Sequence, residues 1–212
     1  MSLIWLASYP RTGNTFMRQA LRAMGLRDAS LYDDNKMNPS FPSEKISSAE
    51  EVGAAQVLYF VKTHALQHDQ YPCIYILRDG RDALVSLAHY TVDVVGTDMT
   101  YSEVLDMLID GRYQPPYCTW SEHVLFYIRR ANIIIRYEKM LENLMQQMTR
   151  VAIFAGVRLT RPDISFEKLH ADNPKFYRRG IVGAWRDEMT LDQQKSFWRY
   201  HADAMHTAGY NE

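Results

Sequence analysis

The sequence is poor in features that would place the chain in several common functional classes. Only two of its 212 residues are cysteines, Cys73 and Cys118, and neither they nor the seven histidines have metal-ligand spacing. Lysine and arginine total 24 against 25 for aspartate and glutamate, so no basic excess favours nucleic acid. No apolar run could cross a bilayer, and no secretory signal pattern occurs. We therefore expect a cytoplasmic protein without a metal, a nucleic-acid partner or a membrane partner.

Apolar segments alternate with segments of helical spacing along the chain. The apolar segments, which we predict to be buried parallel strands, are residues 3–8, 56–63, 73–77 and 132–136. Helical spacing begins at residue 16 and recurs over residues 83–95, 102–109, 121–129, 139–155 and 191–208, and Gly156 stands where a C-cap is expected. Residues 28–48 and 172–188 are expected to be irregular. This order predicts one domain, residues 1–212, with an α/β, P-loop-like three-layer fold in which helices flank a central parallel sheet.

The loop after the first strand has the composition of a phosphate cradle. Residues 9–15 read Tyr-Pro-Arg-Thr-Gly-Asn-Thr and run into a helix. A helix N-terminus presents unpaired N–H groups and a positive dipole, Gly13 allows close approach of an anion, and Arg11 adds a cation. The loop is not a Walker A sequence, because it has one glycine and no lysine before Thr15. Alone, it is equally consistent with an ordinary strand-to-helix turn capped by Thr15.

Three further segments carry residues suited to anion binding or proton transfer. Lys62-Thr63-His64 ends the second predicted strand, where a histidine is placed to act as a general base. Arg78 and Ser86 flank the start of a predicted helix, and residues 178–180 read Arg-Arg-Gly. Taken singly, each segment also has an ordinary explanation: a solvated histidine, helix-start aspartates paired with arginines, and a solvated basic loop.

Taken together and in this order, the segments resemble the cytosolic-type sulfotransferases, which use 3'-phosphoadenosine 5'-phosphosulfate (PAPS). The family pattern Tyr-Pro-Lys-Ser-Gly-x-Thr-Trp is similar to residues 9–16, Lys-Thr-His to residues 62–64, and Arg-x-x-(Lys/Arg)-Asp-x-x-Val-Ser to residues 78–86. Tyr-Glu-Asp is similar to residues 137–139, and Arg-Lys-Gly-x-x-Gly-x-Trp to residues 178–185. The resemblance covers nearly the whole chain. The chain departs from the family pattern at Arg11, Phe16 and Ala184, where the family has Lys, Trp and commonly Asp, respectively.

The resemblance implies a role for each matching residue. His64 is expected to be the catalytic base in sulfuryl transfer to a hydroxyl, with Arg11 and Lys62 stabilising charge on the bridging oxygen and the transferring group. The residues expected to cradle the 5'-phosphosulfate are Arg11, Thr12, Gly13, Asn14 and Thr15. Those expected to hold the 3'-phosphate are Arg78, Ser86, Arg178, Arg179 and Gly180, and the aromatic residues expected near the adenine are Phe16, Tyr137 and Phe166. The desulfated product is 3'-phosphoadenosine 5'-phosphate (PAP), and no metal is implied.

The acceptor is predicted only by class, as a small-molecule phenol or alcohol. Several aromatic residues fall in the region that lines acceptor pockets in the family but also fit core positions at helical spacing: Tyr90, Tyr113, Tyr117, Trp120 and Phe126. The family's C-terminal dimer motif is only partly matched, so the oligomeric state stays open. Two other functions also stay open: a P-loop nucleotide or small-molecule kinase, which would need Mg²⁺, and a non-catalytic nucleotide-binding protein.

Overall fold

The computed structural model describes residues 2–32, 44–46, 48–114 and 118–211, and within these ranges the strands form one parallel sheet. The strands are β1 (Leu3–Ser8), β2 (Arg27–Ser30), β3 (Glu44–Lys45), β4 (Tyr59–Thr63), β5 (Cys73–Leu77) and β6 (Ile133–Arg136). Their order across the sheet is β3-β2-β4-β1-β5-β6. The first strand of the chain therefore lies inside the sheet, between β4 and β5.

Helices connect the strands. They are α1 (Asn14–Ala23), α2 (Ala49–Gly53), α3 (Gly80–Tyr90), α4 (Tyr101–Ile109), α5 (Trp120–Arg130), α6 (Tyr137–Glu142), α7 (Leu144–Ala155), α8 (Phe166–Asp172), α9 (Trp185–Glu188) and α10 (Leu191–Thr207). A π-helical turn, Thr91–Val95, continues α3. The helices α4, α5 and α10 each begin with a threonine whose side chain forms a capping box, which fixes their starting points.

Alternate residues of β1 face two separate apolar layers. Leu3 and Trp5 pack in the layer formed with α3, α4, α5 and α10, whereas Ile4 and Leu6 pack in the layer formed with α1 and α7. Every residue of β1 is buried because both faces of the sheet are covered by helices. The predicted α/β architecture, with helices flanking a central parallel sheet, is confirmed.

The structure corrects the prediction for the segment that begins at residue 28. Residues 28–30 belong to β2, and β3 follows at Glu44–Lys45, whereas an irregular excursion was expected; residues 33–43 and 47 lie outside the described residues. The strand β2 reads Arg-Asp-Ala-Ser and lacks the apolar run of a buried strand. Its Asp28 is nevertheless buried, because Arg18 of α1 donates a hydrogen bond to its carboxylate at 2.6 Å and Arg22 pairs with it as well.

Other predicted boundaries also need correction. The helix predicted over residues 139–155 is two helices, α6 and α7, separated at Asn143, whose side chain accepts a hydrogen bond from the backbone N–H of Gln146 and caps α7. Residues 172–188, expected to be irregular, contain the end of α8 and the short helix α9. Gly156 does terminate α7 in the left-handed conformation, as predicted.

Candidate active site

The loop between β1 and α1 bends sharply into the helix. Gly13 has a φ of 99°, and Arg11, with a φ of 65°, is the one non-glycine residue with a positive φ in the described ranges. No side chain caps the start of α1, so its first backbone N–H groups are available to an anion. A Cβ atom on Gly13 would lie 2.5 Å from the ring of Tyr137, so only glycine fits here. The geometry is that of an anion cradle.

A cavity of about 450 Å³ opens at the carboxyl ends of the central strands. All but one of the residues that the sequence predicts for the site line it: Arg11, Gly13, Asn14, Thr15, Phe16, Lys62, His64, Arg78, Ser86, Tyr137, Phe166, Arg178, Arg179 and Gly180. Thr12 is the exception, because its side chain is buried and its hydroxyl donates to the carbonyl of Tyr9 at 2.8 Å. In this structure the Thr12 side chain therefore lies outside the cavity lining.

His64 is held by contacts that define the state of its ring. Its Nδ1 atom lies 2.7 Å from the carbonyl oxygen of Ser8. Because a carbonyl oxygen can only accept, this hydrogen bond requires the proton on Nδ1, and in the neutral ring the lone pair then lies on Nε2. The amide of Asn14 donates to the side-chain hydroxyl of the same serine at 3.1 Å.

The backbone of His64 is fixed from two further directions. Its N–H donates to the hydroxyl of Tyr32 at 2.9 Å, and its carbonyl oxygen lies 3.1 Å from Nε2 of His123. Burial lowers the pKa of His123 to about 3, so this histidine is neutral and donates from Nε2. Sequence reasoning missed Tyr32 and His123, since no motif contains either residue.

Arg11 is enclosed by aromatic rings. Its guanidinium lies 4.8 Å from the ring centroid of Tyr90 and 4.7 Å from that of Phe176, and Nη2 donates to the Phe176 carbonyl. Its Nε atom lies 3.4 Å from the hydroxyl of Ser86. Burial lowers the pKa of Arg11 to about 10, and the positive charge of Arg78 adds to this effect. The guanidinium is still charged at neutral pH. The guanidinium therefore lies beside a residue that the resemblance assigns to the 3'-phosphate.

The second group of cations comes from two distant segments. Arg78 lies 4.4 Å over the ring of Tyr137, and its Nη1 atom donates to the Arg11 carbonyl at 3.0 Å. Arg178 and Arg179 approach from the loop before α9. The Nε atoms of Arg78 and Arg178 are buried and have no hydrogen-bond partner among the described residues. All three arginines line the cavity, so their positive charges would attract an anion bound there.

The three aromatic residues expected near the adenine also lie together at this cavity. The rings of Phe16 and Phe166 meet edge to face with centroids 6.1 Å apart. Gly180, with a φ of 62°, lies directly against Phe166, since an added Cβ atom would be 2.0 Å from that ring. Tyr137 lines the cavity beside Gly13. The structure thus brings the predicted aromatic set to one side of the anion cradle.

The aromatic residues proposed for the acceptor divide between the cavity and the core. Tyr90 and Tyr113 line the cavity, together with Tyr32 and Phe176, which the sequence did not indicate. Trp120 is fully buried among core residues of α5 and α10, and Phe126 packs against the same core. Tyr117 lies outside the described residues.

Metal-binding clusters and membrane-spanning helices are both absent from the described residues. No group of three or more His, Cys, Asp or Glu side chains that could hold a metal ion occurs among them. None of the helices in the described ranges has the length and apolar character needed to span a membrane.

Comparison with known proteins identifies the family of this chain. A family model described as "Sulfotransferase domain" matches residues 2–209. The amine sulfotransferase of Oryctolagus cuniculus is 20% identical, and the alignment covers 95% of this chain and 80% of that protein.

Solved structures share the fold. Mouse sulfotransferase SULT7A1, complexed with PAP, has a TM-score of 0.74 at 21% identity, covering 95% of this chain and 83% of its own. Retinol dehydratase, in complex with androsterone and PAP, has a TM-score of 0.72 at 22% identity, covering 96% of this chain and 80% of its own. At these identities the likeness establishes the P-loop-like α/β fold, and the match over residues 2–209 establishes the family. The chain therefore belongs to the sulfotransferase domain family and is a transferase enzyme.

Proposed function

We propose that this protein transfers a sulfuryl group from PAPS to a hydroxyl of a small-molecule acceptor and releases PAP. One observation carries the proposal: a single cavity combines the uncapped N-terminus of α1, the cations Arg11, Arg78 and Arg178, and the ring of His64. Both solved structures described above hold PAP, which supports a nucleotide of this kind. The cytoplasmic location and the single domain of residues 1–212 remain predictions.

The residues present fit such a nucleotide. The cavity volume of about 450 Å³ is within the usual range of about 300–1,000 Å³ for small-molecule sites. The guanidinium groups of Arg78 and Arg178, which line the cavity, are suited to phosphate oxygens, and Ser86 adds a hydroxyl beside Arg11. In the proposal these residues, with Arg179 and the backbone of Gly180, hold the 3'-phosphate.

The 5' end of the nucleotide would lie against the loop between β1 and α1. Residues 12–15 supply backbone N–H groups there, and Asn14 and Thr15 line the cavity. Phe16, Tyr137 and Phe166 supply aromatic faces for the adenine. The glycines at positions 13 and 180 let the rings of Tyr137 and Phe166 lie close to the backbone, because an added side chain would displace them.

The proposed chemistry uses His64 as a general base. The Nδ1 hydrogen bond to Ser8 leaves the lone pair on Nε2. As the acceptor oxygen bonds to sulfur, its proton passes to Nε2, while the bond from sulfur to the bridging phosphate oxygen breaks and leaves both electrons on PAP. Lys62, which also lines the cavity, and Arg11 stabilise the charge that develops. PAPS supplies the activated sulfuryl group, and no covalent enzyme intermediate is needed.

The acceptor is proposed to be a phenol or another alcohol with an apolar body. The cavity wall includes Leu87, Val95, Tyr90 and Tyr113, which offer apolar and aromatic contacts rather than charges. Its apolar lining would bury a flat ring while the hydroxyl reaches His64.

Calorimetric titration with PAP, set against ATP with Mg²⁺, tests the proposal. We expect micromolar binding of PAP that needs no Mg²⁺ and that is weakened at least about 10-fold in Arg78→Ala, since a charge-assisted contact contributes about 1.5–3 kcal/mol. Arg129→Ala, which removes an exposed arginine outside the cavity, is the matched control. Binding of ATP with Mg²⁺ but not of PAP would overturn the proposal in favour of a kinase.

A further inference from the structure

Glu188, at the end of α9, joins the arginines of the proposed 3'-phosphate site. Its carboxylate accepts hydrogen bonds from Nη1 and Nη2 of Arg178, both at 2.9 Å, and from Nη1 of Arg179 at 2.8 Å. This is a bidentate carboxylate–guanidinium pair with a second arginine added, an arrangement that fixes the plane of Arg178. No motif of the sequence analysis contains Glu188.

A histidine from another helix completes the cluster. Nε2 of His89 in α3 lies 2.6 Å from the second carboxylate oxygen of Glu188, and the hydroxyl of Tyr101 in α4 donates to its backbone carbonyl. His89 is three residues after Ser86, so both are on one face of α3. Through Glu188, the loop that carries the arginines is therefore tied to the helix that carries Ser86.

The carboxylate lies behind the arginines relative to the cavity. Arg178 and Arg179 line the cavity and Glu188 does not. Glu188 uses the two terminal nitrogens of Arg178, and the Nε atom of Arg178 is the buried donor that has no partner. The bidentate pair uses one N–H group on each terminal nitrogen, so Arg178, which lines the cavity, keeps further N–H donors while its end is fixed.

We propose that Glu188 is a positioning residue for nucleotide selectivity: it holds Arg178 and Arg179 in the orientation that accepts a 3'-phosphate. The inference rests on the proposed function, because it assigns those arginines to that phosphate. Preorganised donors bind more tightly than donors that must be ordered on binding, so Glu188 contributes affinity only where a 3'-phosphate is present. It touches neither the sulfuryl group nor the acceptor in this account.

The charges around Glu188 are consistent with a fixed carboxylate. Burial by itself would raise its pKa, but the hydrogen bonds from Arg178, His89 and Arg179 outweigh burial and lower the pKa. Glu188 is therefore ionised at neutral pH. The other acidic groups nearby are Asp93, 3.7 Å from His89, and Asp187, 4.0 Å from Arg179.

The test compares PAP with adenosine 5'-phosphate, which lacks the 3'-phosphate, in calorimetric titrations of the full chain. Glu188→Ala is expected to weaken PAP binding about 10-fold and to leave adenosine 5'-phosphate binding unchanged. Asp187→Ala is the matched control: it removes the same charge from the neighbouring residue, whose side chain makes no bidentate pair, and PAP binding should stay within about twofold. If Glu188→Ala does not fold, His89→Ala should reduce PAP binding selectively and by less.

Each other outcome has a distinct meaning. Tighter PAP binding by Glu188→Ala would show that the carboxylate competes with the phosphate, and equal loss for both nucleotides would show a merely structural role; either overturns the inference. Unchanged PAP binding also overturns it. If the wild-type protein itself fails to prefer PAP over adenosine 5'-phosphate, the failure lies in the proposed function instead.

Discussion

The Nδ1 atom of His64 and the carbonyl oxygen of Ser8 lie 2.7 Å apart at the ends of two paired strands. Strand β1 pairs with β4 in a register that sets Ala7 opposite Thr63, so Ser8 and His64, the residues that follow this pair in the chain, also come together. The parallel sheet itself thus selects the histidine tautomer whose basic nitrogen is Nε2. In the proposed function, strand pairing thereby helps to orient the general base.

Loss of the His64 ring should greatly reduce turnover and leave nucleotide binding nearly unchanged. We expect His64→Ala to reduce kcat by roughly 10²–10⁴-fold, the usual contribution of a general base. Its affinity for PAP should equal that of the wild type. His68→Ala, which removes an exposed histidine outside the cavity, should keep full activity. Turnover near the wild-type rate in a His64→Ala variant that binds PAP would remove His64 from this role.

Alanine variants at Gly180 and Gly156 separate the effect of a steric clash from the effect of backbone strain. Both have a positive φ, of 62° and 65°, but an added Cβ atom meets Phe166 at position 180 and open space at position 156. Each alanine variant should lose about 1–2 kcal/mol of stability through backbone strain. Only Gly180→Ala should also weaken PAP binding, by at least about 10-fold, as measured by calorimetry. Equal PAP affinity in the two variants would contradict the proposed contact between this glycine and the nucleotide.

Stability should fall on acidification because of His123. Burial lowers its pKa in the folded protein to about 3, against an ordinary value of 6.5. Between these pH values the unfolded chain binds a proton that the folded protein does not, so the free energy of unfolding decreases as pH falls, by up to about 1.4 kcal/mol per pH unit. His201, whose pKa burial lowers to about 4, adds to the same trend.

The variant His123→Gln isolates this effect. Glutamine can still donate to the His64 carbonyl and accept from Tyr75, but it does not titrate. In urea unfolding measured from pH 7 to pH 4.5, the free energy of unfolding of the variant should decline less steeply than that of the wild type. Parallel curves would mean that His123 is not kept neutral by its burial.

The features of the fold and the site that could be predicted from the sequence lie within continuous segments of the chain. The strand at residues 73–77 is an apolar run covered on both faces, and Lys62 and His64 belong to one short motif at a strand end. By contrast, β2 is polar and is stabilised by Asp28 through side chains of α1, which no local pattern reports. Its position in the sheet, between β3 and β4, could not be deduced from periodicity.

Residues that distant segments contribute to the site could not be predicted from the sequence either. Phe176 meets Arg11 across 165 positions of chain, and Glu188 reaches His89 across 99. Tyr32 belongs to no sequence motif, yet its hydroxyl accepts a hydrogen bond from the backbone N–H of His64. Such contacts depend on how the helices and loops pack over the sheet, and a single sequence does not contain that information.

Mass spectrometry of acceptors incubated with the protein tests the central claim most directly. A panel of phenols and alcohols would be incubated with PAPS in the presence of a metal chelator, and in parallel with ATP and Mg²⁺. We predict that at least one acceptor gains one SO₃ group in step with the appearance of PAP, and that His64→Ala reduces this gain. An acceptor that gains phosphate from ATP instead, or PAP binding without any transfer across the panel, would contradict this prediction.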